Sequence, residues 1–318
     1  MRRTSTTLPI ALGLLTLATL ITAYHWTRSV HAMNLRFNVK DLQGLKIISP
    51  LDPSFDGLVV SHFKGDAKPG LEELKPFSVF VKNTSAQSVV AYVLKWELVR
   101  TDGRTITNFT AYAQPGVLMG NVSAGSTQAE AGHIIKPDSM RLFSWDSPLD
   151  PGHDSSIGVR AGGSATPPPN EIGVKSKEAA SKVLSELKSQ LTQATSITVS
   201  IDGAFFEDGT FVGANSSGYF EQIKAQVDAR MDLLEEVASA LAQQADIDKV
   251  LDSIASRTYV SIRPAYLESK PEDLYSFYAG LFAREIASLR STYGSQRAAA
   301  YLADQQARQR PTLKKAKL

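Results

Sequence analysis

SVVAYVLKWELVR, residues 88–100, is the stretch that decides the fold class. Val90, Tyr92, Leu94, Trp96 and Leu98 fall on one face. Val89, Ala91, Val93, Lys95, Glu97 and Val99 fall on the other, so the run repeats with the period of two that a strand imposes. Thr101-Asp102-Gly103 follows. Asp-Gly between apolar arms is hairpin chemistry, because glycine accepts the positive φ that a tight turn needs. Arg104 to Ala113, with Ile106 and Phe109 among its apolar positions, is then the returning strand.

Toward the N-terminus, Pro76 to Lys82 alternates again. Phe77, Val79 and Val81 point one way and Ser78, Phe80 and Lys82 the other, before Asn83-Thr84-Ser85 breaks the run. Gly57 to Phe63 is a short β-rich run ending at Lys64-Gly65-Asp66. Toward the C-terminus, Ile134-Ile135 and Met140 to Trp145 bracket a turn at Lys136-Pro137-Asp138-Ser139, an arrangement similar to the strand that closes one edge of an Ig-like sandwich. Ile197 to Ile201 alternates, and Asp208-Gly209 between Ala204-Phe205-Phe206 and Phe211-Val212 is a second hairpin. Short strands separated by turns predict two packed antiparallel sheets.

Residues 146–174 are rich in Gly, Pro and Asp and predict a surface loop, and Ser176 caps an expected helix bearing Ala180, Val183, Leu184, Leu187 and Leu191. Since the 208–209 hairpin needs a sheet to join, residues 146–192 read as an insertion into the sandwich. Beyond Asn215 the period becomes helical. Phe220, Ile223, Val227, Met231, Leu234, Ala238 and Leu241 predict a long amphipathic helix, and Ile247, Val250, Leu251 and Ile254 a shorter one. Pro271, with Glu272 and Asp273, opens a third that stops at Gly294, and Gln296 to Gln309 is a fourth. The expected fold class is α+β: an Ig-like antiparallel β-sandwich over 33–214, a helical region over 215–310, and a basic disordered tail over 311–318.

The Phe77–Arg100 stretch, with Asn83-Thr84-Ser85 and Val90-Ala91-Tyr92 before Asp102-Gly103, resembles a pattern of exported bacterial proteins. The hairpin Phe206 to Gly213 is similar to another element of that group. The resemblance covers about a third of the chain and implies an Ig-like sandwich with a helical extension. It implies no activity, substrate or catalytic residue, because none is assigned to the group.

The first 32 residues place the chain. Arg2 and Arg3 precede an apolar run from Leu8 to Ala23, and a polar stretch ends in Val30-His31-Ala32, the layout of a secretory signal peptide. Sixteen residues make a helix of about 24 Å, short of the roughly 30 Å hydrocarbon core. Cleavage after Ala32, or at Ile21-Thr22-Ala23, and retention as an N-terminal anchor are the two outcomes. With no cysteine, neither a lipid on a cysteine nor a disulfide framework is open to the chain. Membrane contact is expected only through residues 8–23, if uncleaved. An apolar content of 43%, a charged content of 21% and a net charge of +2 describe a globular protein and argue against a nucleic-acid partner.

No catalytic motif stands out. The histidines are His25, His31, His62, His133 and His153, without the i, i+4 pair of a zincin, and Gly-x-Ser-x-Gly is missing. His153, beside Asp154 and Ser155 and near Asp146 and Asp150, reads either as a hydrolytic or metal-binding loop or as a polar loop of turn formers. Asp202, Glu207 and Asp208 offer oxygens for calcium but lack the EF-hand pattern, and Asp208 is explained by turn chemistry. Asp246, Asp248 and Asp252 complement a helix dipole. Asn83, Asn108, Asn121 and Asn215 lie in sequons. Tyr275, Tyr278, Tyr293 and Tyr301 suggest an exposed recognition face. No catalytic, cofactor-binding or metal-ligating residue is assigned and no cofactor is expected. The expected function is an exported, non-enzymatic binding protein of the envelope or extracellular space, its partner a protein or a surface polymer. The alternatives are a secreted hydrolase using the 146–155 loop and a membrane-anchored structural protein.

Overall fold

The computed structural model describes residues 35–63, 75–113, 115–118, 134–144, 147–148, 189, 191–260, 270–306 and 311–316. Its strands are β1 (Arg36–Lys40), β2 (Leu45–Ile48), β3 (Ser78–Asn83), β4 (Val89–Arg100), β5 (Thr105–Ala113), β6 (Met140–Ser144), β7 (Ser147–Pro148), β8 (Ala194–Phe206), β9 (Thr210–Val212) and β10 (Lys314–Lys315). Its helices are α1 (Phe55–Phe63), α2 (Pro115–Leu118), α3 (Tyr219–Ala242), α4 (Ile247–Ser256), α5 (Pro271–Tyr293) and α6 (Ser295–Gln306), with a 3₁₀ turn at Lys75–Phe77. Helices and mainly antiparallel sheets are mixed in one architecture.

The long strand β4 is paired on both sides, with β5 through the Asp102-Gly103 turn and with β8 along nearly its whole length. The opposite edge of β8 is shared: β1 runs parallel beside residues 196–200, and β9 returns antiparallel beside 204–205. β10 then lies parallel to β9. The second sheet has the order β2-β3-β6-β7 and is antiparallel throughout.

Three cores fill the spaces between these layers. Tyr92, Leu94, Trp96 and Leu98 of β4 and Ile197 and Val199 of β8 meet Val79 and Val81 of β3 and Phe143 of β6 between the two sheets. Phe80 and Leu142, on the other face of the second sheet, are covered by Phe55 and Val59 of α1. The other face of the first sheet receives the helices: Val90, Ala91, Val93, Phe205 and Phe211 share a core with α3, α4, α5 and α6. The first sheet therefore serves two cores, one shared with the second sheet and one shared with the helical layer.

Three register shifts interrupt the β4–β8 pairing, and the two nearest the helices refine the alternation read from the sequence. Residues 89 and 91 pair with 206 and 205, which leaves Val90 as the extra residue on β4. Val90 accordingly packs toward the helices while Val89 joins the Tyr92 face, the reverse of strict alternation. On β8, residues 201 and 203 pair with 94 and 93, so Asp202 is the extra residue there.

The 57–63 run, expected as a β-rich segment, is instead the body of helix α1. Asp52 accepts hydrogen bonds from the Ser54 backbone and hydroxyl, and the Ser54 carbonyl accepts from Leu58 N–H, which starts the helix. Phe55 and Val59, four apart, are then buried, whereas Val60 is 65% exposed; packing on Phe80 outweighs the β-propensity of the two valines. The helix expected from Ser176 lies outside the described residues except at its end, where Leu191 is buried. Where a disordered basic tail is expected over 311–318, Lys314 and Lys315 form β10 beside β9, and Ala316 N–H donates to the Phe211 carbonyl.

Candidate functional site

Sheet and helices are joined by an aromatic cluster and a polar hub. Phe220 stacks on Phe205 with ring centroids 5.6 Å apart, and Phe211 meets Phe220 at 5.4 Å. The Tyr219 hydroxyl donates to the Tyr112 carbonyl at 2.5 Å. Gly203 lies under this cluster, and a Cβ there would overlap the Phe211 ring, so only glycine leaves space for the aromatic side chain. Beside it, the bulge at Asp202 turns the carboxylate toward the chain just before α3. Asp202 is 3% exposed and accepts from the backbone N–H and hydroxyl of both Ser216 and Ser217. Burial raises its pKa, but these four hydrogen bonds together outweigh burial and hold it below the ordinary carboxylate value. Asn215 extends the hub: its Oδ1 accepts from Phe220 N–H at 2.7 Å and its Nδ2 donates to Glu221 at 2.6 Å.

The helices built on this joint enclose a groove of about 460 Å³ between α4, α5 and the start of α6, a volume within the range of ligand pockets. Its floor is apolar, from Leu251, Ala255, Ile286 and Ala287. Leu251 and Ile286, at helical spacing with Ile247 and Ala283, are buried in the stripes that seat the helices on the core, and the exposed Ala255 and Ala287 border them in the groove. Its rim is charged. Arg290 donates to Asp252 at 2.5 Å and to Asp248 at 2.8 Å, and its Nε donates to Ser295 at 3.1 Å, whose hydroxyl donates to Asp248 at 2.5 Å. Hydrogen bonds from Ser295 and Arg290 hold Asp248 below its usual pKa, and the bond to Asp252, more than that to Asp248, raises Arg290. Two carboxylates against one guanidinium leave this rim with one net negative charge.

The arrangement suits recognition. A fixed guanidinium fork, two carboxylates and a serine hydroxyl surround apolar side chains that are already partly out of water, so a partner side chain gains apolar contact below and polar contacts at the edge. Tyr293, one residue before the turn at Gly294, is 58% exposed, and Tyr301 of α6 is 53% exposed. The other two tyrosines of the series differ: Tyr275 is partly buried and donates to Asp232 at 2.9 Å, and Tyr278 packs on the helical core. Burial, with the Asp232 hydrogen bond next, pushes Tyr275 up to about 12.

Asp246 caps α4 and accepts from Lys249 N–H, as a dipole-complementing acid should, whereas Asp248 and Asp252 are engaged by Arg290. Spacing along one helix pointed to the acids; the partner, 38 residues beyond Asp252 on another helix, carried no local mark. Asp202 and Asp208 do not converge on a shared ion, because Asp208 accepts from Thr210 N–H and hydroxyl in its own turn. Among the described residues no group of three or more His, Cys, Asp or Glu could hold a metal. Asn83 is fully buried, donating to the Gln87 and Ile135 carbonyls, and Asn215 is tied into the hub. Asn121, the His153-Asp154-Ser155 loop with Asp146 and Asp150, and the Leu8–Ala23 run lie outside the described residues. No helix among the described residues is long and apolar enough to cross a membrane. Searches of protein-family models, curated proteins and solved structures returned no match to the chain.

Proposed function

We propose that this chain is an exported protein of the cell envelope or extracellular space that works by binding a partner, and that the partner is a protein segment received by the α4–α5–α6 groove. The observation that carries the reading is the groove itself: an apolar floor enclosed by the Arg290–Asp248–Asp252–Ser295 rim. The face-to-face packing of two sheets is compatible with an Ig-like sandwich serving as the rigid support, and the parallel β1–β8 pair is an addition to that plan. Export rests on the Arg2-Arg3, Leu8–Ala23 and Val30-His31-Ala32 layout, with the chain periplasmic, at the cell surface or secreted, and held by residues 8–23 if they are retained.

Site-specific photocrosslinking in the native host tests both parts together. A benzophenone side chain replaces exposed Ala287 in the groove, and a control replaces exposed Thr107 on β5. The expected result is a discrete higher-mass adduct at 287 in the exported fraction, lost with Arg290→Ala and absent at 107, on a chain that either starts after Ala32 or Ala23 or sits in the membrane with residues 8–23 retained. Equal labelling at both positions, or none at 287, overturns the groove reading. A chain confined to the cytoplasm overturns export.

A further inference from the structure

We propose that the outer edge of β9 is a second recognition site, distinct from the groove, for an extended peptide segment of the pattern apolar-x-Lys-small, and that residues 313–316 occupy it in cis. The site is a sheet edge with a reading frame. Lys314 N–H donates to the Gly209 carbonyl at 3.2 Å, and Ala316 N–H donates to the Phe211 carbonyl at 2.8 Å, so the segment adds a parallel strand to β9. Alternate side chains meet different surfaces, as a strand requires. Leu313 packs on the helical core, and Lys315, two residues on, donates to Glu221 at 2.8 Å with its ammonium 4.8 Å from the Phe220 ring centroid. On the opposite side Lys314 approaches Asp208 at 4.0 Å, and Ala316 packs on the core between the sheets. Gly209, at φ 81°, allows the close approach: a Cβ there would sit 2.5 Å from the Thr312 carbonyl oxygen.

The acceptor is therefore specific in three ways. It presents main-chain carbonyls along the edge, an aromatic face with a carboxylate for one lysine, and a second carboxylate for the neighbouring one. The occupant is held lightly. The side chains of Lys314 and Lys315 are 62% and 48% exposed, and exposed ion pairs are screened by salt. A segment held by so few contacts opens readily and leaves the edge to a competitor in trans.

The test uses the full chain and a fluorescent synthetic peptide of residues 311–318, followed by anisotropy at low salt. Lys315→Glu sets a carboxylate against Glu221 and frees the edge, and Lys315→Ala does so more mildly; circular dichroism checks that both stay folded. The expected result is peptide binding at least tenfold tighter to either variant than to the wild-type chain. Binding is weakened tenfold or more by 0.5 M salt and lost with a scrambled peptide. In the chain carrying both Glu221→Lys and Lys315→Glu, the reversed ion pair closes the edge again and binding returns to the wild-type level. The proposal is overturned if folded variants bind no peptide, if the scrambled peptide binds equally, or if the wild-type chain binds as tightly as the variants. A wild-type chain that sediments as a dimer, and as a monomer with Lys315→Glu, places a second copy's segment on the edge and overturns the cis assignment.

Discussion

Replacing Trp96 with alanine is expected to lower stability by about 3–5 kcal/mol, with a fall in Tm of roughly 10 °C. Trp96 is fully buried at the centre of β4, between Asn108 of β5 and Val199 of β8, and its side chain fills the space between the two sheets. Truncation there removes the largest buried side chain of that core and leaves a cavity whose walls are held by strand pairing and collapse little. Trp96→Phe retains most of the volume and should lose markedly less. Chemical denaturation followed by circular dichroism measures both; an alanine variant as stable as the Phe variant would show that the sheets do not pack through this residue.

The second large effect is expected at Asp202. Asp202→Ala removes the acceptor for four hydrogen bonds at a site shielded from water, leaving the Ser216 and Ser217 N–H groups without it, at a cost on the order of 3 kcal/mol. The loss acts on the joint between β8 and α3. It also carries a pH signature. The folded-state pKa lies below the ordinary value of about 3.9, so the carboxylate's contribution is fully present above that value and is lost as pH falls through the lowered one. Asp202→Asn, which cannot titrate, should be less stable than wild type at pH 7, and its stability should fall less steeply below about pH 4. Urea midpoints measured from pH 7 to pH 2 check this; parallel acid limbs for the two proteins would contradict the assignment.

Much of the fold was legible where local chemistry and tertiary packing agree. The β4 alternation, both Asp-Gly hairpins, the 24-residue α3, the Pro271 start of α5 and its stop at Gly294 each follow from a pattern within a few residues. The differences arise where distant contacts decide. The β-propensity of Val59 and Val60 in the 57–63 run gives way to a helix because Phe55 and Val59 must cover Phe80 of the second sheet. The bulges at Val90 and Asp202 are properties of the β4–β8 pairing rather than of either strand alone. The candidate site is less legible still. Asp248 and Asp252 stand out as acids on a helix, but their meaning comes from Arg290 and Ser295, which only the folded helical layer brings to them. The basic segment near the end of the chain is similar: its lysines look solvated in sequence, and Asp208 and Glu221 become their partners once β9 and α3 are placed.

The first sheet, buried on both faces, unites the second sheet with the helical layer that carries the groove. Urea unfolding followed by two probes tests it most directly: tryptophan emission, to which Trp96 contributes from between the sheets, and circular dichroism at 222 nm, dominated by α3 to α6. The predicted result is one transition with coincident midpoints, shifted together by Leu94→Ala, which leaves Trp96 in place as the probe, although Leu94 lies on the face away from the helices. Helices that melt at a lower urea concentration than the tryptophan signal, or that keep their midpoint in the Leu94→Ala variant, would contradict it.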